Sequence, residues 1–131
     1  MKNIYLLVIA FLIIMAAGYF FQIKESDKAP YRISADEAAK MVKENNETII
    51  VDVRTIEEYQ QGHIKNAKLL PLSEIEDKAS EVLPNKNKLI LIYCRSGRRS
   101  AVAADILVNS GYENVYDFGG INNWKGEIVK D

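Results

Sequence analysis

The chain has 131 residues, 48% of them apolar, and carries 17 basic against 18 acidic residues for a formal net charge of -1. That length bounds it to one modest domain plus whatever the N-terminus adds, and the near-neutral balance excludes the broad positive surface of a nucleic-acid-binding protein. One cysteine and one histidine are too few for a cluster of metal ligands and leave no internal disulfide.

Reading from the start, Ile4 to Phe21 is a run of 18 residues without a charged or strongly polar side chain, close to what a bilayer's hydrocarbon core requires. Ala16-Ala17-Gly18 offers a small-residue cleavage site, but Tyr19-Phe20-Phe21 continues the apolar run past it. That fits an uncleaved anchor better than a removed signal peptide. Lys2 ahead of the run matches the export pattern, so the domain is expected outside the cytoplasm, tethered by residues 1–23 or released after cleavage. Residues 24–30 read as a polar linker ending in Ala29-Pro30. The domain is then 31–131, with 14 basic and 16 acidic residues, since three basic and two acidic ones precede it.

Within the domain, strand and helix patterns alternate. Tyr31-Arg32-Ile33 reads as a short leading strand, and Ser34-Ala35-Asp36-Glu37 as a capping box opening a helix to about Asn45. Thr48 to Val53 is a β-branched, buried strand, and Thr55-Ile56-Glu57-Glu58 a second capping box for a short helix that stops before Gly62. A short strand over Lys68-Leu69-Leu70 precedes a third expected capping box, Ser73-Glu74-Ile75-Glu76, for a helix to about Leu83. Leu89-Ile90-Leu91-Ile92-Tyr93 is an uninterrupted apolar run, the pattern of a strand buried on both faces. A helix follows and stops near Gly111, and Asn114 to Phe118 reads as the last strand. Five strands interleaved with helices predict an α/β domain with a mainly parallel sheet.

Cys94 falls at the turn from the apolar strand to the following helix. In an open α/β sheet that turn lies at the carboxyl edge, where ligands bind, and the helix directs its free N–H groups and positive dipole end back at it. Arg95, Arg98 and Arg99 concentrate cations beside the thiol, while Ser96 and Gly97 are small enough for a tight loop with inward N–H groups. Both features favour the thiolate. A buried structural cysteine has no use for three arginines in five residues, so the pattern points to a nucleophile that works on a small anion.

Cys94-Arg95-Ser96-Gly97-Arg98-Arg99-Ser100 resembles the active-site loop of the single-domain rhodaneses, the thiosulfate sulfurtransferase family. The resemblance extends to Val51-Asp52-Val53-Arg54, Glu57-Glu58-Tyr59 with Gly62-His63-Ile64, Ala67 to Pro71, and Gly119-Gly120-Ile121-Asn122-Asn123-Trp124, covering about residues 31 to 131. Asn66 stands where many members carry glycine, and asparagine also tolerates left-handed dihedrals. The resemblance implies a rhodanese-like fold, a five-stranded sheet flanked by helices and preceded here by one apolar helix.

It also implies an activity. Cys94 would take sulfane sulfur from thiosulfate or a similar anion as a persulfide, with Arg95, Ser96, Gly97, Arg98, Arg99 and Ser100 binding the donor, and pass it to a thiol or cyanide. No cofactor, metal or nucleic acid is called for, and the N-terminal segment supplies the membrane contact. Asp52 and Arg54 share the carboxyl edge with Cys94 but read as a structural pair, with Arg54 reaching Asp52 or Glu58; His63 likewise reads as structural and Trp124 as a lid or core residue. Three rivals stand beside this reading. Cysteine phosphatases and arsenate reductases place an arginine six positions after the cysteine, whereas Arg99 lies five positions on. A membrane-tethered binding or persulfide-carrier module is the third.

Overall fold

The computed structural model describes residues 2–25 and 30–131. The N-terminal apolar run is helix α1 (Lys2–Glu25), and its stretch Lys2–Tyr19 is long and apolar enough to cross a membrane, with none of it buried in the molecule. Most of the linker expected at 24–30 lies outside the described residues.

The domain then runs β1 (Tyr31–Arg32), α2 (Ala35–Glu44), β2 (Ile49–Asp52), α3 (Ile56–Gln61), β3 (His63–Ile64), β4 (Lys68–Leu69), α4 (Ile75–Val82), β5 (Leu89–Cys94), α5 (Arg98–Asn109), β6 (Asn114–Gly120) and β7 (Ile128–Val129). Five of these strands form a sheet in the order β1-β6-β5-β2-β4, every pair of it parallel. The alternation of elements predicted this sheet. From β2 the chain next joins the sheet at β4 on one side, whereas from β5 it proceeds to β6 on the other. The carboxyl ends of β2 and β5 therefore border the crevice where open α/β sheets bind ligands.

Side-chain alternation along β5 explains why its sequence is apolar without a break. Ile90, Ile92 and Cys94 join the core against α4 and α5, with Val51, Val53, Ala103, Ala104 and Leu107. Leu91 and Tyr93 join the core on the opposite face, with Ala35, Ala38, Ile50, Ile64 and Phe118. A strand covered on both faces has no polar positions to spare.

Local signals set the helix ends. At α2 the Ser34 hydroxyl accepts from the Glu37 N–H at 3.1 Å, and the Ser34 N–H donates to the Glu37 carboxylate at 2.8 Å. Thr55 and Glu58 form the same reciprocal pair at α3. Gly111 closes α5 at φ 94° and Asn66 takes φ 67°, the left-handed conformations their residue types suit.

Two expectations are corrected. The capping box at Ser73 does not form: Pro71 starts a single 3₁₀ turn over Leu72–Glu74 that leads into α4 with no side-chain cap. The Leu72 N–H goes to the Val53 carbonyl, and the Glu74 carboxylate pairs with Lys78 at 2.8 Å. The last strand, moreover, is not Asn114 to Phe118. It continues to Gly120, and a further strand, β7, pairs antiparallel with β3. Two-residue strands carry too little pattern for periodicity to register them.

Candidate active site

Cys94 is the last residue of β5, and its side chain is wholly buried. The loop Arg95–Gly97 curls over it, with Gly97 in the left-handed region at φ 98° immediately before α5. This conformation brings the Gly97 N–H to 3.0 Å from the Cys94 Sγ. Ser100, also buried, stands 3.5 Å from the sulfur through its hydroxyl, which donates to the Gly97 carbonyl at 3.1 Å.

These neighbours decide the thiol's acidity. Burial is the largest single influence and pushes the thiol up, because it disfavours the charged form. The Ser100 hydroxyl and the N–H groups of Ser100, Gly97 and Ser96 pull the other way, and together they hold Cys94 below its ordinary value. The strand-to-helix turn thus builds a small anion nest around the sulfur.

A second close approach holds the loop in place. A Cβ built on Gly120 would run into the Arg95 carbonyl oxygen, and one on Gly97 would come within 3.3 Å of the Gly119 Cα. The loop packs backbone to backbone against the end of β6, so the glycines of the C-terminal Gly119-Gly120 stretch serve the cysteine loop. Gly119 itself sits at φ 83° and donates its N–H to the Asp117 carboxylate at 2.9 Å.

Next to Cys94, a buried polar network spans β2 and β5. The Asp52 carboxylate is fully buried and accepts from the Arg54 guanidinium at 2.7 Å, from the Arg54 N–H at 2.9 Å and from the Tyr93 hydroxyl. Arg54 extends to the Gly62 carbonyl at 2.7 Å, and the Tyr93 oxygen accepts from the Ile64 N–H at 3.1 Å. Arg54 therefore reaches Asp52, one of the two partners the sequence left open. His63 is buried, stacks on Tyr59 with ring centroids 3.6 Å apart, and places Nδ1 2.8 Å from the Tyr59 carbonyl, where that nitrogen is the donor. Its place is structural. Trp124 is partly buried and packs on Phe118, 5.5 Å between centroids, against the core cluster that includes Ala35 and Ala38 of α2.

The arginines differ sharply. Arg95 and Arg98 are exposed and, among the described residues, have no ion-pair or hydrogen-bond partner, and Ser96 is exposed between them. Arg99 instead pairs with Glu58, Nη1 to Oε1 at 2.6 Å and Nη2 to Oε2 at 3.0 Å. This bidentate bond, with burial opposing it, holds the Glu58 carboxyl down to about 2. Sequence reading had Glu58 as a capping residue and missed this second role, because its partner lies 41 positions away. Arg54, Glu58, Gly62 and Arg95 line an open cleft of about 440 Å³, and Arg54, Thr55, Leu72 and Arg99 line an adjoining one of about 300 Å³. Among the described residues no group of acids, histidines and cysteines is placed to hold a metal ion.

A thiol at the carboxyl end of a central parallel strand, ringed by loop N–H groups, defines a class of cysteine-centred α/β anion sites, and the family model of the rhodanese-like domain matches residues 34–127. The chain belongs to the rhodanese-like domain family. It is 38% identical over 73 residues to "Thiosulfate sulfurtransferase PspE" of Escherichia coli (strain K12), spanning 56% of this chain and 70% of that protein. A "Putative sulfur carrier protein YrkF" of Bacillus subtilis (strain 168) is 40% identical over 70% of this chain and 49% of its own length. Among solved structures, a rhodanese-like domain protein from Staphylococcus aureus matches with a TM-score of 0.68 and 36% identity, covering 77% of this chain and 98% of that one. A structure described as rhodanese with anions from E. coli matches at a TM-score of 0.61 and 36% identity, over 64% and 99%. At the level of the family these likenesses support sulfurtransferase activity.

Proposed function

We propose that the protein moves sulfane sulfur from thiosulfate or a similar donor to a thiophilic acceptor through a persulfide on Cys94. The observation that carries this reading is the Cys94 sulfur set among the Gly97 N–H and the Ser100 hydroxyl, with its thiol held below the ordinary value. The Cys94 thiolate attacks the outer sulfur of thiosulfate. The new S–S bond forms as the bond to the sulfonate sulfur breaks, sulfite leaves with its electron pair, and Cys94 keeps an anionic persulfide. The N–H groups that favour the thiolate equally favour that persulfide.

Cyanide or a thiolate then takes the terminal sulfur and restores the Cys94 thiolate. Among the described residues of the loop and helix start, Arg95 and Arg98 are exposed and can meet the donor's oxygens without breaking an ion pair. Arg99 enters the donor site only in competition with Glu58.

Mass spectrometry of residues 31–131 after thiosulfate treatment tests the reading: one added sulfur on Cys94 is expected, and none in Cys94→Ser. Thiocyanate formation by folded Cys94→Ser protein would overturn the mechanism. A second reading, a persulfide carrier that hands its sulfur to a protein, is favoured by the name of the Bacillus subtilis sulfur carrier relative. It predicts the same adduct with negligible turnover to cyanide.

Helix α1 fits a membrane anchor or a signal sequence. The proposed arrangement is an anchor with the domain outside the cytoplasm. Protease added to intact spheroplasts should digest the domain, and protection would reverse that topology.

A further inference from the structure

Arg54, Arg95, Arg98 and Arg99 all stand at the carboxyl edge around Cys94, but two of the four are already neutralised. Asp52 holds Arg54 at 2.7 Å, and Glu58 holds Arg99 through both carboxylate oxygens. Glu58 is itself anchored, since the capping box fixes its backbone and its Oε1 also accepts from the Thr55 N–H and hydroxyl. The Arg99–Glu58 pair keeps 33% and 26% side-chain exposure, so it is open to solutes from solvent. Glu58 lines the same cleft as the unpartnered Arg95.

Arg99 lines the adjoining cleft, so a donor at the rim the two clefts share near Arg54 meets both an engaged guanidinium and a fixed carboxylate. For a dianion the carboxylate competes for Arg99 and repels twice, while a monoanion suffers half the repulsion and has less need of a further cation. We propose that Glu58 sets the charge selectivity of the site: by occupying Arg99 it disfavours dianionic thiosulfate and turns the protein toward singly charged sulfane donors such as thiosulfonates and organic persulfides. This rests on the sulfurtransferase reading above, and Glu58 acts in it by positioning and neutralising Arg99, without touching the reacting sulfur.

Methanethiosulfonate is the matched probe, because a methyl group replaces one charged oxygen of thiosulfate while the reacting sulfur is the same. Cys94 thiolate attacks that sulfur, the S–S bond to the sulfonyl group breaks, and methanesulfinate departs with the electron pair. Thiosulfate reacts identically with loss of sulfite, so the two donors differ chiefly in one charge.

The test is the rate of Cys94 persulfide formation by each donor, as the ratio of kcat/KM for thiosulfate to that for methanethiosulfonate. Glu58→Gln keeps an oxygen for the Thr55 and Arg99 hydrogen bonds but removes the charge, and should raise the ratio about tenfold, less at high salt. Glu58→Asp keeps the charge and should leave the ratio within about twofold of the parent. The reciprocal Arg99→Gln, which strands Glu58 as an uncompensated anion, should lower the ratio about tenfold and serves if Glu58→Gln does not fold. Equal effects on both donors in Glu58→Gln would overturn the proposal and leave sulfur transfer standing, as would an equal rise of the ratio in Glu58→Asp. An unchanged ratio in Arg99→Gln overturns it too. Failure of both donors to load Cys94 in the parent would instead remove the sulfurtransferase reading, and this proposal with it.

Discussion

The hydroxyl of Tyr93 donates to the carboxylate of Asp52, its neighbour across the β5–β2 pairing, and so ties the residue just before Cys94 to the buried Asp52–Arg54 ion pair. The same oxygen accepts from the Ile64 N–H, joining the sheet to β3. Asp52 exposes no surface, and every donor it loses leaves a buried charge less compensated.

Tyr93→Phe therefore removes a donor from Asp52 and the acceptor from Ile64 in one step. It should cost about 1–3 kcal/mol of domain stability, the range for stranding a buried hydrogen-bonding group. Urea unfolding of residues 31–131 checks the figure. Since Tyr93 points away from the Cys94 face of the sheet, persulfide loading of the folded variant should persist.

Ser100→Ala takes away the hydroxyl beside the Cys94 sulfur while leaving the backbone N–H groups. The Ser100 hydroxyl, able to turn from the Gly97 carbonyl to an ionised sulfur, lowers the thiol's pKa against the pull of burial, so losing it moves the value up. The acidic limb of the pH profile for donor kcat/KM should shift to higher pH in the variant. At high pH, where both proteins are ionised, the rates should converge. A fixed limb with a uniformly lower rate would assign Ser100 to loop packing alone.

Arg95→Ala and Arg98→Ala each remove an exposed cation, unpartnered among the described residues, from the loop and helix start that follow Cys94. A charge-assisted hydrogen bond is worth about 1.5–3 kcal/mol, so each change should lower thiosulfate kcat/KM by roughly tenfold to a hundredfold. The preformed persulfide, held by backbone N–H groups, should still pass sulfur to cyanide at a similar rate. Pre-steady-state measurement of the two half-reactions separates the steps. Unchanged donor kinetics in both variants would leave thiosulfate without a physical claim as donor.

Gly120→Ala asks how closely the Cys94 loop depends on the end of β6. The new methyl would meet the Arg95 carbonyl oxygen, a backbone atom that cannot move without shifting the loop. Gly97 and its N–H to the sulfur would shift with it. Both thermal stability and sulfur loading should fall, by about 1–3 kcal/mol for the former, as overpacking typically costs. Normal loading in a stable variant would mean the loop tolerates displacement.

Much of this protein was legible from local pattern. The unbroken apolar run of β5, the capping boxes at Ser34 and Thr55, and the left-handed residues Asn66 and Gly111 each report on contacts made within a few residues, which spacing encodes directly. The cysteine loop belongs to the same class: strand, small residues and helix start lie within seven positions, so the nest around Cys94 was already implied. Partner choice across the fold was not. Glu58 looks the same in sequence whether it only caps α3 or also holds Arg99, and Arg54 had two carboxylates within reach along the chain. Only the tertiary structure decided between them: partners 41 residues apart meet because the sheet order sets β2 beside β5, bringing the start of α3 to the start of α5. The β3–β7 pair and the fit of Gly120 against Arg95 have the same origin, since close approach of distant backbone depends on how the elements pack and leaves no period in the residues themselves.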